Sequence, residues 1–264
     1  MTPRWTRSSP FSSPAPEVRL VNAFANPFDN AVATARTCYS GRIVTPDEVA
    51  TDPTRRARIA ESTYRAGHHP ILLHAHFQFA LSHVSRQFVW SFLHAHPFYN
   101  SEQVSQRYVA VKPGTTAIPA LGGQAEEMFA RTVEMQHAAY RRLTELLSPA
   151  VAREYYRIFP ARRKDPRFEK DVKKKAQEIA RYVLPVATFA FLYHTVSGLT
   201  LMRYFRMCEQ LDAPDETRFV VGRMVEELLE VDPQYETILE EPLAQGETAE
   251  ARASAARMPS DPSA

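Results

Sequence analysis

Residues 74–85, HAHFQFALSHVS, run straight into RQFVWSFLHAH at 86–96, and the hydrophobic period changes at the join. In the first stretch Ala75, Phe77, Phe79 and Leu81 alternate with His74, His76, Gln78 and Ser82, the period of a strand with one face buried. In the second, Phe88, Val89, Phe92 and Leu93 recur at helical spacing, and Pro97 stops that helix. A chain with this join must place a helix at the end of a sheet strand with no loop between them. His94 and His96 then fall where the helix ends and the chain turns.

The second half continues the pattern. Val172, Ala176, Ile179, Ala180 and Val183 form a stripe of period 3.6, so residues 168–184 are expected as a helix ending at Pro185, with Glu178 and Arg181 three apart on it. VATFAFLYHTVS (186–197) reads as a buried strand or extended segment, and SGLTLMRYFRMCEQL as a helix with Ser197 as its cap. Only eight glycines occur in 264 residues, and no Gly-x-Gly-x-x-Gly or Walker-type loop is among them, which argues against a dinucleotide fold. The expected class is α+β, with a mixed or antiparallel sheet flanked by helices.

Residues 1–16 are rich in Ser and Pro, and residues from about 241 to 264 are small and polar. Both are expected to be disordered tails around one domain spanning 17–240. KPGTTAIPALGG (112–123) is expected to divide two structured halves of that domain. No apolar run reaches the roughly 18 to 20 residues of a membrane helix, and the N-terminus lacks the apolar core of a secretory signal, so the expected location is cytoplasmic. A net charge of +2 gives no reason to expect a nucleic-acid partner, and the locally basic RRKDPRFEKDVKKK (162–175) reads as a solvated helix face. Cys38 and Cys208 lie too far apart in sequence to suggest a disulfide framework or a Cys-x-x-Cys metal site.

Seven of the nine histidines fall between residues 68 and 96. Clustered imidazoles raise the question of a metal, but no aspartate accompanies them and no carboxylate stands at helical spacing from one, so no metal site is expected. Ser105 and Arg107, with Arg181, supply a hydroxyl and two guanidinium forks, the equipment for holding a phosphate monoester.

ARTCYSG (35–41), AGHHPILLHAHFQFALSHVSR (66–86), SQRYV (105–109), EIARYVLP (178–185) and TVSGLTLMRYF (195–205) occur in the order and at about the spacing of the flavin-dependent thymidylate synthases, so the chain resembles that family from about Val18 to Gly222. The resemblance implies a homotetramer that binds FAD and methylates dUMP, or a related pyrimidine nucleotide, to dTMP with methylenetetrahydrofolate and NADPH as co-substrates. It implies that Gln103, Ser105, Arg107 and Arg181 hold the nucleotide, with Cys208 at the position that reads the base. His68, His94, His96 and Ser197 would contact the FAD. No residue is assigned as catalytic.

The match breaks at functional positions. The family's Arg-His-Arg, seven residues and serine become His94-Ala95-His96, eight residues and Ser105. The polar pair expected after Gly67-His68 becomes Pro70 and Leu73, and the family's Asn-x-Arg becomes Ser197-Gly198-Leu199. Three readings follow: an enzyme with a rewired pocket, an enzyme for a different pyrimidine nucleotide, or a non-catalytic nucleotide-binding paralogue or partner subunit. A thiol at 208 could also attack the base, although a small buried apolar side chain is the commoner role for such a cysteine.

Overall fold

The computed structural model describes residues 8–210, 212–239, 247 and 251–254. Most of the expected C-terminal tail lies outside the described residues. Four strands, β1 (Glu17–Ala23), β2 (His76–Ser85), β3 (Tyr99–Gln103) and β4 (Phe189–Ser197), form one sheet in the order β1-β2-β4-β3. Every pairing is antiparallel. The helices are α1 (Pro27–Thr37), α2 (Pro46–Ala50), α3 (Pro53–Arg65), α4 (Arg86–Ala95), α5 (Gly123–Ile158), α6 (Glu169–Ala180), α7 (Gly198–Gln210) and α8 (Asp215–Val231). The class is the expected α+β.

The alternation in β2 is realised: Phe77, Phe79 and Leu81 are buried, while His76, Gln78 and Ala80 are half-buried on the other face. In β4 the burial also alternates, with Leu192, His194 and Val196 inward and Phe191 and Tyr193 exposed, so the sheet keeps one open face. Behind the inner face Tyr235 is fully buried, edge-on to Phe28 and Phe77 with both ring centroids at 5.4 Å. Gly198 lies against that same ring, and a Cβ there would overlap it.

The strand-to-helix join at Ser85 is fixed by two contacts. The Ser85 hydroxyl accepts from the Phe88 amide at 2.9 Å, capping α4, and the Ser85 amide donates to the buried Glu216 carboxyl of α8 at 2.7 Å. Burial raises the Glu216 pKa above the carboxylate norm, which favours the protonated acid. Ser197 caps α7 as expected, accepting from the Thr200 amide at 3.2 Å.

Two expectations differ from what is observed. The helix expected over 168–184 is α-helical only to Ala180 and finishes as a 3-10 turn, Arg181–Val183, because Pro185 offers no amide to continue it. The segment 112–123 does not divide two halves. Ala117 donates to Ala187 O at 2.9 Å and the Phe189 amide to Thr115 O at 2.9 Å, which ties the loop to the start of β4. Residues 8–16, expected as tail, lie along the same loop: the Ser12 amide donates to Ile118 O at 3.0 Å and the Ile118 amide to the Ser13 hydroxyl at 2.9 Å.

Candidate functional site: a guanidinium patch at the start of β4

Three elements meet at the N-terminal end of β4. The Arg86 amide donates to Thr188 O at 3.0 Å and the Gln87 amide to Val186 O at 2.9 Å, which brings the first turn of α4 against the residues following the Arg181–Val183 turn. On the other side the Val104 amide donates to Phe191 O at 2.9 Å, extending the β3 ladder by one residue. Backbone geometry therefore brings Arg86, the end of β3 and the end of α6 to one place.

The Arg86 guanidinium donates to the Gln103 amide oxygen at 2.9 Å and to Val104 O at 2.6 Å. Beyond that anchor the chain folds tightly. The Ser105 hydroxyl accepts from the Arg107 amide at 3.2 Å, and Ser105 O accepts from the amides of Tyr108 and Val109 at 3.2 and 3.0 Å. The turn projects Arg107, whose side chain is 56% exposed, onto Glu178 of α6 at 3.2 Å, while Lys175 holds the other carboxylate oxygen at 2.9 Å. The Lys175 hydrogen bond holds the Glu178 carboxyl below its usual range, and Arg107 and Arg181 add to the effect.

Arg181 stands close to Arg86 as well. Burial lowers the Arg86 pKa and the neighbouring Arg181 charge lowers it further. The Arg86 Nε is buried and has no acceptor among the described residues. Arg107, Arg181 and Lys175 thus surround the Glu178 carboxylate, and Arg86 stands beside Arg181 with its guanidinium turned onto Gln103 and Val104. Such a patch is short of negative charge and of acceptors, which a phosphate oxyanion would supply. Of the residues singled out in the sequence, Gln103, Ser105, Arg107 and Arg181 come together here. Arg86 was missed. Its only sequence signal is its position as the first helical residue after a capping serine.

The histidine positions divide. His68 is exposed, with its amide closing α3 onto Thr63 O at 3.0 Å. His94 is exposed at the end of α4, its Nδ1 paired with Trp90 O at 2.5 Å. His96 is 8% exposed. Its Nε2 lies 3.2 Å from the His194 Nε2, and its ring stacks on Tyr204 with centroids 4.5 Å apart. Burial lowers the His96 pKa to about 4 and that of His194 to about 3, so at neutral pH both rings are neutral and one donates to the other. Among the described residues no group of three metal-ligating side chains occurs.

Two further positions depart from the ligand contacts the sequence led us to expect. Ser197 is 1% exposed, and its hydroxyl is used within the fold, accepting from the Thr200 amide and donating to the Thr200 hydroxyl at 2.9 Å. Cys208 is also 1% exposed, beside Tyr204, and burial pushes its thiol up to about 12. Its sulfur is held as the buried thiol at neutral pH, which speaks against the nucleophile reading.

A sequence model described as thymidylate synthase complementing protein matches residues 19–234. The chain belongs to that family. A flavin-dependent thymidylate synthase of Clostridium tetani (strain Massachusetts / E88) is 27% identical over 222 residues, 82% of this chain and 84% of that protein. The crystal structure of a UMP/dUMP methylase, PolB from Streptomyces cacaoi bound with 5-Br dUMP, superposes with a TM-score of 0.58 at 18% identity. It covers 85% of this chain and 94% of that chain, and at that identity the likeness is one of fold.

Membership in the family implies a flavin. The residues here do not fit one held as the resemblance suggested, because His96 and Ser197 point inward and are already bonded, and Leu199 is a buried apolar side chain. His68 and His94 alone of that set face solvent.

Proposed function

We propose that this member of the thymidylate synthase complementing family binds a pyrimidine nucleoside monophosphate through Ser105, Arg107 and Arg181, on a turn anchored by Arg86, and methylates it. The reaction in this reading is the conversion of dUMP to dTMP with methylenetetrahydrofolate and NADPH, in a homotetramer. The observation that supports the binding half is the gathering of the Arg107 and Arg181 guanidiniums and the Lys175 ammonium around the one carboxylate of Glu178, beside the Ser105 turn. The nucleotide bound in the S. cacaoi methylase supports the same ligand class.

A second reading is favoured by the burial of His96, Ser197 and Cys208: a nucleotide-binding subunit that does not turn over. One experiment separates the two. The purified chain is incubated with FAD, passed through gel filtration, and titrated with dUMP while the visible spectrum is recorded. A retained flavin band that shifts with dUMP supports the enzyme. A colourless protein that still binds dUMP by calorimetry supports the second reading, and a chain that binds neither overturns both.

A further inference from the structure

Only the second half of the basic run at 162–175 is a solvated helix face, with Lys170, Lys173, Lys174 and Lys175 exposed on α6. Pro160–Lys164 and Pro166–Phe168 form two 3-10 turns that carry the run from the end of α5 to the start of α6. The first of these turns, the end of α5, α6 and the Ser105–Val109 segment line a cleft of about 370 Å³.

The cleft is positive, and two of its cations are unneutralised. The Arg162 guanidinium is held over the rings of Phe159 at 4.2 Å and Phe168 at 4.8 Å, and donates to the Tyr155 hydroxyl at 2.8 Å. Tyr155 in turn donates to Asp171 at 3.1 Å. Lys174 extends its ammonium to 5.8 Å from the ring of Tyr108, which is 69% exposed. Neither Arg162 nor Lys174 makes an ion pair with a carboxylate of a described residue. Arg107, Arg162, Lys174 and Lys175 face only Asp171 and Glu178 in the lining, which leaves two positive charges in excess.

Arg107 belongs to this cleft and to the guanidinium patch alike. An anion gripped at Arg107 therefore has a positively charged channel continuing on one side of it. Consecutive phosphates share a bridging oxygen, so a second phosphate must lie next to the first, and Lys174 and Arg162 line the cleft that Arg107 borders. We infer that the cleft is a subsite for a second phosphate, so that a pyrimidine nucleoside diphosphate binds the same site more tightly than the monophosphate substrate does. The inference rests on the nucleotide reading above and deepens it.

The test is calorimetric titration of the full chain with dUMP and with dUDP. The diphosphate binds about tenfold tighter than the monophosphate, the increment of one good charge-assisted contact. Lys174→Ala, at an exposed helix position, brings the two nucleotides to within about twofold while leaving dUMP affinity unchanged, and Arg107→Ala weakens both. Equal affinities for dUMP and dUDP in the unaltered chain, or an undiminished preference in Lys174→Ala, overturn the second-phosphate subsite and leave the nucleotide reading standing. Failure of both nucleotides to bind overturns the nucleotide reading and the subsite with it.

Discussion

The Arg107 guanidinium rests 3.2 Å from the Glu178 carboxylate, joining the turn after β3 to the last turn of α6. The pair is exposed on the arginine side, so it is a reversible latch on a cation that a phosphate could take over. Replacing the carboxylate should free Arg107 and Arg181 for an anion. Glu178→Gln is expected to leave the melting temperature unchanged and to tighten dUMP binding several-fold at low ionic strength, with the gain shrinking at physiological salt. Calorimetry at two salt concentrations reads both effects, and weaker binding at low salt would make Glu178 a positioning residue instead.

Arg86 acts on the patch from behind, through the Gln103 side chain and Val104 O. Arg86→Ala removes two charge-assisted hydrogen bonds from a half-buried site and should destabilise the fold by about 2 kcal/mol. It should also weaken dUMP binding more than tenfold, about 1.4 kcal/mol or more, because the turn carrying Arg107 loses its anchor. Chemical denaturation and titration of the same variant separate the two losses.

The His96–His194 pair makes stability depend on pH. Both folded-state pKa values are depressed, to about 4 and about 3, while the unfolded residues titrate near the ordinary value of about 6.5. Between about pH 6.5 and 4 the unfolded chain binds more protons, so stability falls as pH falls, by up to about 1.4 kcal/mol per pH unit for each histidine. Urea unfolding at pH 7 and pH 5 should show the loss. The double variant His96→Phe, His194→Phe should flatten the dependence over that range.

Thiol reactivity should distinguish the two cysteines. Cys38 is exposed and Cys208 is buried with its thiol pushed up to about 12. A chromogenic disulfide reagent is expected to titrate one thiol in the native protein and two after denaturation. Rapid modification of both in the native state would contradict the packing of Cys208 against Tyr204.

The parts of the fold that were legible in the sequence are those where burial follows a local period. β2, α4, α6 and β4 all have one face against the core, and the residues on that face repeat at 2.0 or 3.6. The phosphate-type residues Ser105, Arg107 and Arg181 were legible as a set because their chemistry is shared, although their meeting depends on backbone pairing at the start of β4. The inward direction of His96 was not legible. His96 is buried by a partner 98 positions away, and no local period reports such a contact. Of the seven clustered histidines, His68, His74 and His94 are exposed, His69, His76 and His83 are half-buried, and His96 is buried, because neighbours in a strand or at a helix end face different ways.

The sheet order carries a consequence for how the patch comes into being. β2 and β3 follow one another in the chain with only α4 between them, yet they never pair, since β4 is inserted between them. Until that late strand arrives, Arg86 has no frame that holds it beside Val104, and Arg181 has none that holds it beside either. A chain emerging from the ribosome would therefore carry every phosphate-binding side chain but the last well before any anion could be gripped, and closure must wait on a pairing of long sequence separation, the slow kind. A nucleotide that recognises only the completed arrangement would draw the finishing step forward by mass action, so the ligand of this protein would also be an agent of its maturation.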